Sequence, residues 1–234
     1  MTELATYALD GRIATITIDD GRVNVFSIPM VNALHSALDQ AEKDKAVVIL
    51  TGRDGYFSAG FDLKTLTGGD AGAMIDLLTL GATLAERVLS FPTPVVVACS
   101  GHAYPAGAFL LLSADYRIGA DGPYRIGLNE VRIGLTLPWF AIELARHRLH
   151  PTHFDRTVVS ATMYSPRDAI VPGFLDQVVE QSELREASIA VATDLCGLDP
   201  AAHAATKLRA RGAALAALRH AIESELSFPD SVGH

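Results

Sequence analysis

Phe57-Ser-Ala-Gly-Phe-Asp-Leu63 follows the apolar run Val48-Ile-Leu-Thr51, and the same design returns where Val95-Val-Val-Ala-Cys-Ser100 leads into Gly101-His-Ala-Tyr-Pro-Ala-Gly-Ala108. Both stretches read as strand-to-turn-to-helix junctions with small residues where the backbone turns sharply. Small side chains let a ligand approach the main chain, and a helix N-terminus offers unpaired N–H groups and a dipole that favours negative charge. Two such ends directed at one oxygen would make an oxyanion hole. Taken singly, the first junction reads first as a tight bend that Ala59 and Gly60 permit.

Around these junctions strands and helices alternate, which predicts an α/β fold. Thr6–Leu9 and Ile13–Ile18 flank Asp10-Gly11, a strong hairpin signal. Ser27 caps a helix with Pro29 in its first turn and apolar residues at Val31, Leu34, Leu38 and Ala41. A second helix runs from Ala71 to Leu89, where Pro92 and Pro94 stop it, and a third from Ala106 to Ser113. Strands are expected at Val47–Leu50, Val95–Cys99, Asp115–Gly119 and Leu175–Glu180. Ser165-Pro166 reads as another cap and first turn, and Ala-rich helices continue to the end. Gly68-Gly69-Asp70 is the expected mobile loop, having glycines and few apolar anchors.

Composition narrows the function. The 234 residues are 49% hydrophobic and 20% charged, enough for one well-buried core, so a single domain is expected. Net charge is −8, and no basic run is present to neutralise a phosphate backbone, which argues against nucleic acid. A start without a basic, apolar leader and the lack of an apolar stretch near ~20 residues predict a cytoplasmic chain without a membrane partner. Cys99 and Cys196 read as reduced core thiols, and eight scattered histidines give no metal-ligand spacing. The sequence contains no dinucleotide fingerprint, no phosphate loop and no nucleophile elbow.

A third element, Ile126-Gly-Leu-Asn-Glu130-Val-Arg-Ile-Gly-Leu-Thr-Leu-Pro138, embeds one carboxylate among apolar residues, where burial would raise its pKa. Its bland reading is a solvated Glu130, or one paired with Arg132 or Arg125. In order and spacing the three elements resemble the crotonase family, also called the enoyl-CoA hydratase/isomerase family, from Ile13 to about Arg209. The closest resemblance is to the Δ3,Δ2-enoyl-CoA isomerase branch, through Gly127-Leu-Asn-Glu130 and Asp115-Tyr-Arg-Ile118.

The resemblance implies a spiral of ββα units over residues 1–190 with a helical C-terminal region of the same domain, 191–234, used to form a trimer or a hexamer. It implies an acyl-CoA thioester substrate with no separate cofactor and no metal. It places backbone oxyanion donors at Ala59 and Ala106, with Gly107 the alternative if the register slips by one, and makes Glu130 the catalytic acid/base. The CoA portion would meet Val23, Asn24, Val25, Phe26, Ala59, Gly60, Phe61, Asp62 and Leu63. Lys64 and Lys207 are candidates for its phosphates, and Asn129 either orients substrate or Glu130, or caps a turn. His102 is expected to be structural.

Hydratases of the family carry a second glutamate where this chain has Phe109, and no carboxylate replaces it nearby. One carboxylate suffices to move a proton from C2 to C4 of a 3-enoyl thioester, whereas adding water needs a second group to position or activate it. Isomerisation is therefore expected first. The alternatives are hydration or another acyl-CoA lyase or thioester-hydrolase activity, and a weakly catalytic CoA-thioester-binding protein. Leu218–His234 lacks the Phe and Glu-Gly pattern with which many relatives close the site.

Overall fold

The computed structural model describes residues 3–226. The chain opens with the antiparallel hairpin of β1 (Ala5–Asp10) and β2 (Ile13–Ile18) about Asp10-Gly11. It then repeats one unit: a strand in a large sheet, one or more short strands in a small sheet, and a helix. The first repeat adds β3 (Val25–Phe26) and α1 (Ile28–Lys43), whose N-cap Ser27 accepts from Met30 N–H. The second comprises β4 (Val47–Thr51), β5 (Gly55–Ser58), β6 (Gly60–Phe61), α2 (Leu63–Thr67) and α3 (Ala71–Ser90). The third comprises β7 (Val95–Cys99), β8 (Gly101–Ala103) and α4 (Pro105–Ser113).

The rest follows as β9 (Tyr116–Ala120), a 3₁₀ turn at Glu130–Ile133, α5 (Trp139–Arg148), α6 (Pro151–Val158), β10 (Gln177–Val179), α7 (Leu184–Leu195), α8 (Pro200–Ala210) and α9 (Gly212–Leu226). The large sheet has the order β1-β2-β4-β7-β9-β10, parallel from β2 onward, and β3-β6 and β5-β8 are small parallel pairs. This is the ββα spiral of the crotonase fold.

Alternation along the parallel strands feeds two cores, because successive side chains point to opposite faces. Val48, Leu50, Val95, Val97 and Cys99 join the main core with α1, α3 and α4. Val47, Ile49, Val96, Ala98 and Ile118 face the other way and pack against α7. Leu215, Leu218 and Ala221 of α9 complete the main core beside α3 and α5, so the apolar C-terminal face is buried against this chain's own helices.

Two expectations are corrected. Ser165-Pro166 begins no helix. Ser165 Oγ donates to Asp168 Oδ2 and accepts from Asp168 N–H, and residues 166–173 form consecutive turns ending at Pro172-Gly173. The strand expected over Leu175–Glu180 is confined to Gln177–Val179, because Leu175 turns into the main core and Asp176 Oδ2 accepts from Arg117 N–H and Nε–H. Gly68 and Gly69 link α2 to α3, and Asp70 caps the latter by accepting from Ala73 N–H.

Candidate active site

A cleft of about 220 Å³ opens between the β6–α2 segment, the start of α3, the N-terminus of α4 and the 3₁₀ turn. Leu63, Leu66, Met74 and Leu78 form one wall, Ile133, Leu135 and Pro138 the opposite one, and Phe61 and Phe109 also line it. Among the described residues Glu130 is its only ionisable lining residue, and Asn129 stands beside it. Gly127 and Gly134 bracket this turn with φ of 151° and 78°, and Leu135 N–H closes it on Glu130 O. Both glycines permit backbone geometry that most side chains would strain.

Glu130 is 6% exposed, and its Oε2 has no hydrogen-bond partner among the described residues. Burial pushes its pKa up to about 7, with only a backbone hydrogen bond opposing the shift. Neither expected arginine neutralises it. Arg132 Nε donates to Ala161 O at 2.6 Å, and Arg125 is exposed. Asn129 makes no side-chain capping bond, so the turn-capping reading of that residue fails. The site thus holds a poorly hydrated acid that changes charge near neutral pH.

The two junctions differ in which amides are free. Ala59, expected as the first oxyanion donor, spends its N–H on Val23 O at 2.9 Å, so that expectation is corrected. Gly60 turns at φ 100°, and its N–H donates to Ser58 Oγ. Asp62 N–H donates to Phe26 O across the β3–β6 pair. Successive N–H groups of an extended strand point to opposite sides, so that of Phe61 is directed away from β3. At the other junction Pro105 has no N–H, and the first helical bond of α4 is Ala108 N–H to Tyr104 O. Ala106 and Gly107 therefore carry the free donors of this buried helix start, and Tyr104 supplies no side-chain cap. A Cβ on Gly107 would lie 2.9 Å from Ser58 Cβ, so glycine is what lets α4 press against β5.

The CoA-contact expectations divide. Val23, Asn24, Val25 and Phe26 back β6 and do not line the cleft. Asn24 is fully buried. Its Nδ2 donates to Ile18 O, Tyr56 O and Phe57 O, and its Oδ1 accepts from Asp20 N–H, so it clamps the first two repeats rather than greeting a ligand. Asp62 uses both oxygens to cap α2, on Lys64 N–H and Thr65 Oγ1. Gly60, Phe61 and Leu63 line the cleft, and Lys64 is exposed near its rim.

Lys207 is corrected outright as a phosphate ligand. It is 5% exposed, and its ammonium donates to Phe91 O, Thr93 O and Asp115 Oδ2, which uses all three N–H bonds. His102 is structural, as expected: Nδ1 accepts from Arg125 N–H, and the ring stacks on Tyr104 and meets Tyr56 and Tyr124. Phe109 packs edge-on against Phe140 and tilted against Phe61, and so fills with hydrocarbon the place of a second acid. Sequence reasoning reached Leu63 of α2 but missed Leu66 and the wall from α3, Met74 and Leu78. Their signal was the helical spacing of Met74 and Leu78, which serves core and pocket alike.

Fold and cleft together describe an α/β spiral with backbone amides and one buried acid around an apolar cavity. A family model described as enoyl-CoA hydratase/isomerase matches residues 9–232, and the chain belongs to that family. A structure of an enoyl-CoA hydratase/isomerase family protein from Pseudomonas syringae is 50% identical and superposes with a TM-score of 0.94, covering 96% of this chain and 97% of its own. A Mycobacterium tuberculosis protein, described as an enoyl-CoA isomerase in one solved structure and as a probable enoyl-CoA hydratase in another, is 39% identical at a TM-score of 0.92 in the first, with 97% and 99% covered. A probable enoyl-CoA hydratase of Bacillus subtilis is 36% identical over 139 residues, which span 58% of this chain and 53% of that protein. No described helix is long and apolar enough to cross a membrane.

Proposed function

We propose that this enzyme converts 3-enoyl-CoA thioesters to their 2-enoyl isomers, with Glu130 as the only acid/base. The observation that carries this reading is the buried carboxylate of Glu130, the one acid among the described residues of a cleft whose other polar side chains are amide and hydroxyl. As carboxylate, Glu130 takes a proton from C2. The electron pair moves onto the thioester oxygen as a dienolate, and the newly protonated Glu130 returns the proton to C4 while the double bond settles between C2 and C3. Burial supports both halves, since a pKa near 7 gives a base strong enough to remove the proton and an acid strong enough to return it.

The negative charge needs donors that are already in place. The N–H of Phe61, turned from β3, and that of Ala106, unbonded at the start of α4, are the pair we assign to it. Each such donor is worth about 2.7–4 kcal/mol in comparable sites. To Asn129, free of capping duty, we assign the orienting of Glu130 or the acyl group, and to the exposed Lys64 a contact with the CoA phosphates. Phe109 disfavours hydration, because a phenyl ring can neither accept a proton from water nor hold it by a hydrogen bond.

The test is a paired assay of 3-enoyl-CoA isomerisation and 2-enoyl-CoA hydration on the native chain and on Glu130→Gln. Isomerisation that dominates in the native chain and is lost in the variant is expected. Hydration at ordinary enzymatic rates with 3-enoyl-CoA untouched would overturn the reading.

A further inference from the structure

Gly81 sits in the middle of α3, a helix interior where glycine costs about 1 kcal/mol relative to alanine. The space at this position explains the choice. A Cβ built on Gly81 would lie 2.4 Å from both Cε1 and Cζ of Phe61, far inside any real contact. The missing methyl leaves a recess in α3, and the far edge of the Phe61 ring occupies it.

The half-buried ring is held by aromatic packing on one side and lines the cleft on another. Its other neighbour is Phe109, with centroids 6.1 Å apart, and Phe109 is wedged against Phe140 at 5.3 Å, both of the latter buried. Backbone freedom at this point lies instead at Gly60, which turns at φ 100° immediately before Phe61. A push on the ring that the cleft side does not absorb falls on the two-residue strand β6, whose rotation would turn the Phe61 amide.

We infer that Gly81 is a positioning residue: its recess seats the Phe61 ring and thereby keeps the Phe61 N–H directed into the cleft. This inference rests on the reading of Phe61 N–H as a donor to the thioester oxygen. It does not depend on which reaction follows.

Polarisation of a bound conjugated thioester provides the readout, because hydrogen bonds to its carbonyl oxygen shift the absorption band of 2,4-hexadienoyl-CoA to longer wavelength. Native protein, Gly81→Ala and the double variant Gly81→Ala/Phe61→Leu are compared at saturating ligand, with thermal unfolding measured alongside. Alanine is the better helix former, so Gly81→Ala is expected to fold. The native chain is expected to give the red shift and Gly81→Ala to lose most of it, with kcat about 10- to 100-fold lower and KM little changed. The double variant, which removes the colliding edge of the ring, is expected to recover the red shift.

A full red shift in Gly81→Ala at saturation would overturn the inference, as would a loss that Phe61→Leu does not repair. A native chain that shows the red shift yet fails to isomerise 3-enoyl-CoA overturns the proposed reaction and leaves the role of Gly81 standing. A native chain with no red shift removes the oxyanion donor and this inference with it.

Discussion

Asp115 and Glu130 are both carboxylates withdrawn from water, and they are treated in opposite ways. Asp115 accepts from Lys207, Arg211 and Val95 N–H, so its charge is matched by two cations and an amide and ties α8 and its C-cap to the start of β7. Glu130 is the more deeply buried residue, faces an apolar cleft and has no ion pair among the described residues. A buried charge with partners is architecture, because removing one partner strands the other. A buried acid without partners holds free energy in reserve, and its protonation state is the variable that catalysis uses.

That contrast is broken most severely by Glu130→Gln. Isomerisation is expected to fall about 10²- to 10⁴-fold, the range that positioned acid/base groups supply, with kcat rather than KM carrying the loss and the fold intact. Steady-state kinetics with circular dichroism on the same sample checks both halves. Asp115→Asn should do the reverse. It leaves Lys207 and Arg211 facing each other without their shared anion and is expected to cost about 3–5 kcal/mol of stability in urea unfolding, while kcat below the transition is kept.

A pH titration sharpens the comparison further. The folded pKa of Glu130, about 7, lies above its ordinary value of 4.5. Between the two the folded chain holds a proton that the unfolded chain has released, so stability falls as pH rises through this window. The penalty is absent below the unfolded value and complete above pH 7, where it reaches about 3 kcal/mol. Unfolding midpoints of native protein and Glu130→Gln should therefore diverge from pH 4.5 to pH 8, the variant being favoured at the alkaline end. Over the same range isomerisation should rise as the carboxylate forms. The smallest effect is expected from Lys64→Ala, a few-fold rise in KM for CoA thioesters that salt diminishes and that thioesters of pantetheine do not show.

Much of this was legible in the chain, and the parts that were not share a cause. The Asp10-Gly11 hairpin, the Ser27 cap, the strands Val47–Thr51 and Val95–Cys99 and the isolation of Glu130 among apolar neighbours are written in local pattern. Which amide of Phe57–Asp62 stays free is not local, because it depends on how β6 pairs with β3, some 35 positions earlier. Lys207 looked available for the same reason. Nothing near it in sequence announces Asp115, Phe91 and Thr93. Ser165-Pro166 carries a sound helix start, but Pro172 and the left-handed turn at Gly173 follow too soon for a helix to form.

The claim that one carboxylate both removes and returns the proton is tested most directly with 3-enoyl-CoA dideuterated at C2, turned over in ordinary water and analysed at early conversion. Shielding of Glu130 from solvent predicts that part of the abstracted deuterium reappears at C4 of the 2-enoyl product. Product whose new C4 hydrogen comes wholly from water, from the first turnover onward, would contradict it.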